Sequence, residues 1–358
     1  MSCEILGYST QLHPLIARLQ THLWSNDPAL NRRYFRWKYL ENPVLPEALV
    51  SVAVAAGRAV AMRGMSGALW QVDDAAGHHL IPYADDFVVD PEHRNSGVAR
   101  RVMHPALDAA ARRGFAFAVN LSASPITFVN SLANGWRSAG SFRPVWRDGA
   151  PASGPLRRLG PIVRRPAPAP FAPPARAARA PTGAVTVARE PRPEAMAALI
   201  ERLPWDGRIR MVRDARYLGW RFRNPLHEYR FLYWDEGRLD GFLVLQRYRT
   251  QRIDPWVNIV DLEAADDRIL AGLLSAAVTL GEFPRMHAWT VGADAARQDA
   301  LREHGFAPPA AEGVRARSRG LLVRSLRATP TGDRWRLGGR DLLRIDDWDL
   351  RLAYSMAG

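Results

Sequence analysis

Between Pro151 and Thr182 the chain becomes a run of alanine, proline, arginine and glycine, centred on Pro166-Ala-Pro-Ala-Pro, and this run constrains how everything else can fold. Each proline fixes φ and removes a backbone donor, so neither helix nor sheet persists through it. It reads as a semi-rigid connector, 151–182, separating a block of residues 1–150 from a block of residues 183–358. Each block is about the size of one domain.

The two blocks share a phrase. The first holds Tyr34-Phe35-Arg36-Trp37-Lys38-Tyr39, with Asn42-Pro43 after it; the second holds Tyr217-Leu218-Gly219-Trp220-Arg221-Phe222, with Asn224-Pro225 after it. A tryptophan precedes each phrase (Trp24, Trp205), and strand-like pairs follow each, at 49–60 and 229–245. Near each block's end stands a glycine–aromatic pair, Gly135-Trp136 and Gly305-Phe306. These ordered coincidences predict an internal duplication, its Trp37 and Trp220 helices being core elements rather than ligand platforms.

Periodicity in block one predicts a strand at 4–8, helices at 12–23 and 31–40, a hairpin of 49–55 with 60–65, and a strand at 85–89. A helix at 97–113, a strand at 115–121, a helix running to Asn134 and a strand near Phe142 follow. The order β-α-α-β-β-β-α-β-α-β predicts a mixed-sheet α/β unit, present twice. Pro105 is expected to kink the helix that contains it.

Composition excludes several classes. The chain is 47% hydrophobic and 24% charged, the makeup of a folded protein. No stretch of about 18 apolar residues would span a membrane, and the first residues lack the pattern of a signal peptide. A single cysteine, Cys3, excludes an intrachain disulfide framework and a zinc cluster, and the nine histidines show no ligand spacing, so no metal is expected. The expected compartment is reducing and cytoplasmic. The net charge is +13, yet Lys38 is the only lysine; the arginine bias reads as a GC-rich coding sequence. No basic helix with interleaved aromatics appears, so nucleic acid is not an expected partner.

The chemical signal follows the strand Asp86-Phe87-Val88-Val89. There Arg94-x-x-Gly97-x-Ala99 opens a helix directly after a strand. Such a turn aims successive backbone N–H groups at one point, where the helix dipole adds partial positive charge. Gly97 and Ala99 leave room for a pyrophosphate, and Arg94 and Arg100 add charge.

Here the sequence resembles the GNAT acyltransferase superfamily. Its Q/R-x-x-G-x-G/A loop matches Arg94 to Ala99, Val89 to Arg94 looks like its lead-in, and Gly135-Trp136 looks like the Gly-Phe that closes its fourth helix. The resemblance covers most of block one and, more faintly, block two. It implies two tandem GNAT-like domains, each a mixed sheet splayed between its fourth and fifth strands. Acetyl-CoA or another acyl-CoA would lie in that gap as co-substrate. The thioester carbonyl would bond backbone N–H near Val88 or Val89, and the pyrophosphate would sit on Asn95, Ser96, Gly97, Val98 and Ala99, flanked by Arg94 and Arg100. Asn120 would reach the pantetheine arm.

A base is looked for on the fourth strand, where Asp85 and Asp86 alternate so that one faces the cleft; Asp86 is favoured, with Tyr83 a further polar candidate. The place where many members carry a tyrosine acid holds Ser131, a poor acid. Block two departs further: after 256–262 it runs Glu263-Ala-Ala-Asp-Asp267, whose carboxylates would repel a pyrophosphate, so it reads as a degenerate copy.

The implied activity is direct N-acyl transfer from the CoA thioester to an amine of a small metabolite, amino sugar or peptide-like intermediate. Alternatives are a catalytically silent CoA-binding scaffold, or a transferase whose donor is an acyl-carrier protein drawn by the basic surface.

Overall fold

The computed structural model describes residues 3–73, 77–121, 125–149, 185–249, 256–280, 283–309, 319–327 and 334–355. The connector 151–182 lies outside them.

The first half runs β1 (Glu4–Gly7), α1 (His13–Leu19), α2 (Pro28–Phe35), β2 (Leu49–Ala55), β3 (Arg58–Ser66), β4 (Leu69–Gln71), β5 (His78–Leu80) and β6 (Tyr83–Val89). It continues with α3 (Val98–Arg112), β7 (Phe117–Asn120), α4 (Pro125–Ala133), β8 (Arg137–Phe142) and β9 (Val145–Asp148). The second half runs β10 (Val185–Ala188), α5 (Pro193–Arg202), β11 (Arg210–Met211), α6 (Ala215–Arg221), β12 (His227–Asp235), β13 (Leu239–Tyr248) and β14 (Val257–Ala264). It ends with α7 (Asp267–Thr279), β15 (Arg285–Ala288), α8 (Ala295–Glu303), β16 (Arg319–Ser325) and the small hairpin β17 (Arg336–Leu337) and β18 (Arg340–Asp341).

Local chemistry explains the boundaries. Asp27 caps α2 by accepting from the Ala29 amide at 2.8 Å, with Pro28 at the first helical position. Residues Arg36–Leu40 carry α2 onward as a π-helical turn. Ala56 and Gly57, both at positive φ, close the β2–β3 hairpin in the twist that such tight turns require. Pro105 sits inside α3, which runs unbroken from Val98 to Arg112.

The two large sheets exchange strands. The first has the order β1-β2-β3-β6-β7-β16-β8, the second β10-β12-β13-β14-β15-β9. Thus β16, from the second half, inserts between β7 and β8 of the first sheet, pairing Val323 with Val119 and Leu322 with Asn120. In return β9, from the first half, completes the second sheet against β15. Each half therefore supplies a strand the other needs, and a third sheet, β11-β4-β5, also draws on both.

The shared phrase forms the seam. Trp37 and Trp220 stack with ring centroids 4.7 Å apart and planes 10° apart. The indole N–H of each donates to the backbone carbonyl of the other at 2.8 Å. This reciprocity is a local two-fold relation between the repeats, as in an isologous interface. One hydrophobic cluster runs through it, uniting Trp24, Tyr34 and Trp70 with Phe231, Trp348 and Tyr354. A second cluster lies under α7 in the second half. The chain folds as two joined α/β units with a common core.

Candidate functional site

Strands β6 and β7 run parallel but share one residue pair, Tyr83 with Val119. The Tyr83 hydroxyl then accepts from the Leu121 amide at 3.0 Å and ties the two strands at that end. Beyond it β6 continues to Val89, among the described residues bound only to β3, with Met62 opposite Val88 and Ala61 opposite Val89. The β7-facing edge of β6 is therefore a row of polar backbone atoms along a splay. Val88 and Val89 lie on that row, and Asn120, buried, stands at the end of β7 where the strands diverge.

The chain leaves β6 through a short 3-10 turn that Asp90 caps, accepting from Glu92 N at 3.0 Å. Asn95 and Gly97 both take positive φ, 64° and 78°, and Gly97 is the N-cap of α3, with no side chain capping the first-turn amides. A Cβ built on Gly97 meets none of the described residues within 4 Å. Arg94, Asn95, Ser96, Gly97 and Arg100 are all exposed, while Val98 turns inward to anchor the helix. Orphan first-turn N–H groups, a left-handed glycine, open space in front of it and two exposed guanidiniums form an anion cradle. These residues fit a CoA pyrophosphate.

The carboxylates of β6 are not arranged as strict alternation predicts. Asp86 does not face the cleft: it takes φ 48°, in a bulge where the β3 register shifts, and its side chain is fully buried. Oδ1 receives Lys38 Nζ at 3.0 Å, the Trp24 indole at 3.1 Å and the Tyr34 hydroxyl at 3.3 Å; Oδ2 receives the Tyr39 hydroxyl at 2.9 Å and Gln20 at 3.4 Å. Asp85 joins from the other side, 3.0 Å from the same ammonium. Both carboxylates are thus committed to Lys38. Burial pushes the Asp86 carboxyl above the ordinary aspartate range despite the pull of Lys38.

The network explains Gly64. A Cβ there would lie 2.0 Å from the Tyr39 hydroxyl oxygen. Gly64→Ala is expected to displace that hydroxyl from Asp86 and destabilise the protein by about 1–3 kcal/mol, the usual cost of overfilling a packed site. Thermal denaturation of the variant checks this; an unchanged melting temperature contradicts the packing described.

Ser131 stands inside α4. It is fully buried, and its hydroxyl donates to the Thr127 carbonyl one turn back at 2.7 Å, a bond internal to α4. Its geometry is that of a helix hydroxyl rather than an acid beside a leaving thiolate. Asp90, Glu92 and His93 bring three potential ligand atoms within 4.8 Å of one another. Arg58 already lies 3.2 Å from Asp90 and 3.9 Å from Glu92, so a cation of the chain's own offsets one of the two negative charges of the cluster.

The corresponding place in the second unit is built differently. Strands β14 and β15 again pair briefly, Val257 with Met286 and Asn258 with His287. The N-cap of α7 is Asp266, whose carboxylate accepts from Ile269 N at 2.8 Å, where the first unit leaves its cradle open. Arg351, from the C-terminal segment, donates to the Leu262 carbonyl at 2.7 Å and to Asp261 at 3.0 Å, and lies 2.8 Å from Glu263. Arg213 bonds the same two carboxylates. Sequence reasoning missed these arginines and the Lys38 network. The signal for Lys38 was its isolation, one lysine among 49 basic side chains, standing where the second repeat has Arg221, which is also fully buried.

A splayed mixed sheet with an anion cradle at the start of the following helix, present as an intact and an altered copy, defines a tandem acyltransferase-type fold. Residues 16–124 match the family model described as the Acetyltransferase (GNAT) family. The first unit is a GNAT domain, and the chain has the tandem GNAT fold.

Similar solved structures include a conserved protein from Enterococcus faecalis V583 described as a probable N-acyltransferase, at 11% identity and TM-score 0.57, with 91% of this chain and 73% of that one covered. A GCN5-related N-acetyltransferase from Anabaena variabilis ATCC 29413 aligns at 11% identity and TM-score 0.55 over the same shares, 91% and 73%. A tandem GNAT protein from the clavulanic acid biosynthesis pathway aligns at 13% identity and TM-score 0.53, over 92% of this chain and all of that one. At these identities the likeness concerns the fold. No curated protein sequence matches the chain. Among the described residues no helix is long and apolar enough to cross a membrane.

Proposed function

We propose that the chain is an acyl-CoA-dependent N-acyltransferase that acylates an amine of a small molecule, using the first unit as its donor site. The observation that carries this is the open cradle at Gly97, set directly beyond the unpaired edge of β6. Acyl-CoA, when bound, supplies the activated acyl group. Asn95 to Ala99 would hold its pyrophosphate through backbone N–H groups, with Arg94 and Arg100 beside them. The β6 edge near Val88 and Val89 offers polar backbone atoms to an acyl carbonyl, and rigid donors there favour developing negative charge. The Lys38–Asp85–Asp86 network fixes the bulge from which that edge begins, which makes Asp86 a positioning residue. Asn120 stands where a pantetheine arm would pass. Acetyl-CoA is the donor to test first.

A second reading, a CoA-binding module without turnover, draws on one observation: Asp86 and Ser131 are both engaged elsewhere.

The discriminating experiment is release of free thiol from acetyl-CoA in the presence of a panel of primary amines and amino sugars. Amine-stimulated release supports the transferase, whereas binding without release by any amine supports the module. Ser131→Ala is expected to leave the rate within about twofold of wild type, below 0.5 kcal/mol of barrier; a drop of about a hundredfold would restore Ser131 as a catalytic group.

A further inference from the structure

Arg63, in β3, is a buried cation whose donors are unused. The residue is 3% exposed, and among the described residues its guanidinium makes no hydrogen bond and no ion pair. Lys38, Arg213 and Arg221 are as deeply buried, and all three are bonded: Lys38 to Asp85 and Asp86, Arg213 to Asp261 and Glu263, Arg221 to Tyr229 and the Ala353 carbonyl. Of the Arg63 nitrogens, Nη2 alone is both without a partner and sealed from solvent, so Nε and Nη1, equally unbonded, are the two still within reach.

Its neighbours fix where it stands. Two residues to either side on β3, Ala61 packs with Val98 and Val102 of α3, and Met65 with Ala106 and Leu107 of the same helix. Ser51, directly opposite on β2, bonds the Val102 carbonyl. Alternation therefore puts Arg63 on the α3 side of the first sheet. There it faces the β6 bulge, with Cζ 5.7 Å from the centroid of the Phe87 ring. Phe87 is half-buried and precedes Val88 on the edge that β7 leaves open. The guanidinium thus lies under the helix whose first turn is the cradle, beside the stretch of β6 that borders the splay.

The protein answers its charge only at a distance. Burial pulls the Arg63 guanidinium below its ordinary range, and Asp85 opposes this through space. Asp85 and Asp86 are both committed to Lys38, and neither accepts an Arg63 N–H. A guanidinium is a planar fork of N–H donors with no acceptor, and leaving it buried and empty is costly. A carboxylate matches that fork with two parallel bonds.

We propose that Arg63 selects an acyl group ending in a carboxylate, so that the donor is the CoA thioester of a dicarboxylic acid. This rests on the first unit being the donor site. The cradle at Gly97 provides for the pyrophosphate, which leaves Arg63, farther along the same face, for the acyl end. In transfer the amine nitrogen bonds to the thioester carbonyl carbon, the C–S bond breaks and the thiol departs with the amine's proton. The distal carboxylate keeps its charge and its place on Arg63.

Calorimetric titration of the full-length protein, without any amine, compares malonyl-CoA with propionyl-CoA and succinyl-CoA with butyryl-CoA. Within each pair a carboxylate replaces the terminal methyl. At least one acid should bind about tenfold or more tightly than its uncharged partner, as a charge-assisted pair of bonds warrants. Arg63→Gln should bring that ratio to about one. If the glutamine variant does not fold, Arg63→Lys, which keeps the charge and loses the fork, should cut the ratio at least about threefold. Equal affinities within both pairs overturn the proposal and leave the donor site standing, as does a ratio unchanged in the folded variant. If no thioester binds, the donor-site reading fails and this assignment fails with it.

Discussion

Trp220→Ala is expected to cost about 3–5 kcal/mol of folding stability, the usual range for emptying a buried tryptophan site. The substitution also removes the stack on Trp37 and the indole N–H that the Trp37 carbonyl accepts at 2.8 Å. A buried carbonyl left without a donor adds about 1–3 kcal/mol. Against a typical total of about 5–15 kcal/mol, that is a large share. The loss should register in both units together. Strand β16 completes the first sheet and β9 the second, so neither unit keeps its sheet when the other unfolds. Thermal or denaturant unfolding, followed separately by far-ultraviolet dichroism and tryptophan fluorescence, should give one coincident transition in the wild type, shifted as a whole in the variant. Two separated transitions would show that the units unfold independently and that the exchange does not couple them.

Gly97→Glu is expected to abolish acyl-CoA binding while leaving the fold in place. The open space in front of Gly97 means that the new Cβ meets none of the described residues within 4 Å. It would fill the cradle and set a carboxylate against the phosphates. The φ of 78° costs a residue with a Cβ about 1–2 kcal/mol, a shift of a few degrees in melting temperature for a chain of this size. Gly97→Ala separates the two effects, since it carries the backbone strain without the charge and should lose far less affinity. If the glutamate variant binds acetyl-CoA within about threefold of wild type, under about 0.7 kcal/mol, the cradle is assigned to the wrong residues.

Much of this architecture was legible in the sequence, and the exceptions have physical causes. Helix and strand positions in the first half follow the periodicity closely, because alternation and helical spacing are local properties of an amphipathic element. The duplication was legible because the Trp37 and Trp220 phrases are constrained by each other across the seam. The strand exchange was not: Val145–Asp148 is four residues long, and nothing in a short strand's own sequence names the sheet it will join. Asp86 was misplaced for a related reason. Period-two reasoning assumes a regular strand, whereas the β6 bulge at φ 48° turns Asp86 inward and leaves both carboxylates inside. The geometry of the loop from Arg94 to Ala99 was legible, because a glycine between a strand and a helix reads directly as the left-handed turn that Gly97 makes. Ser131 was placed by counting back from Gly135, and counting does not reveal that its hydroxyl already serves the Thr127 carbonyl.

The central claim is that one unit keeps a donor site and the other has lost it. Calorimetric titration with acetyl-CoA, recording stoichiometry beside affinity, tests it most directly. The account predicts one site per chain, lost in Gly97→Glu. Two sites per chain, or a single site that survives Gly97→Glu, would contradict it.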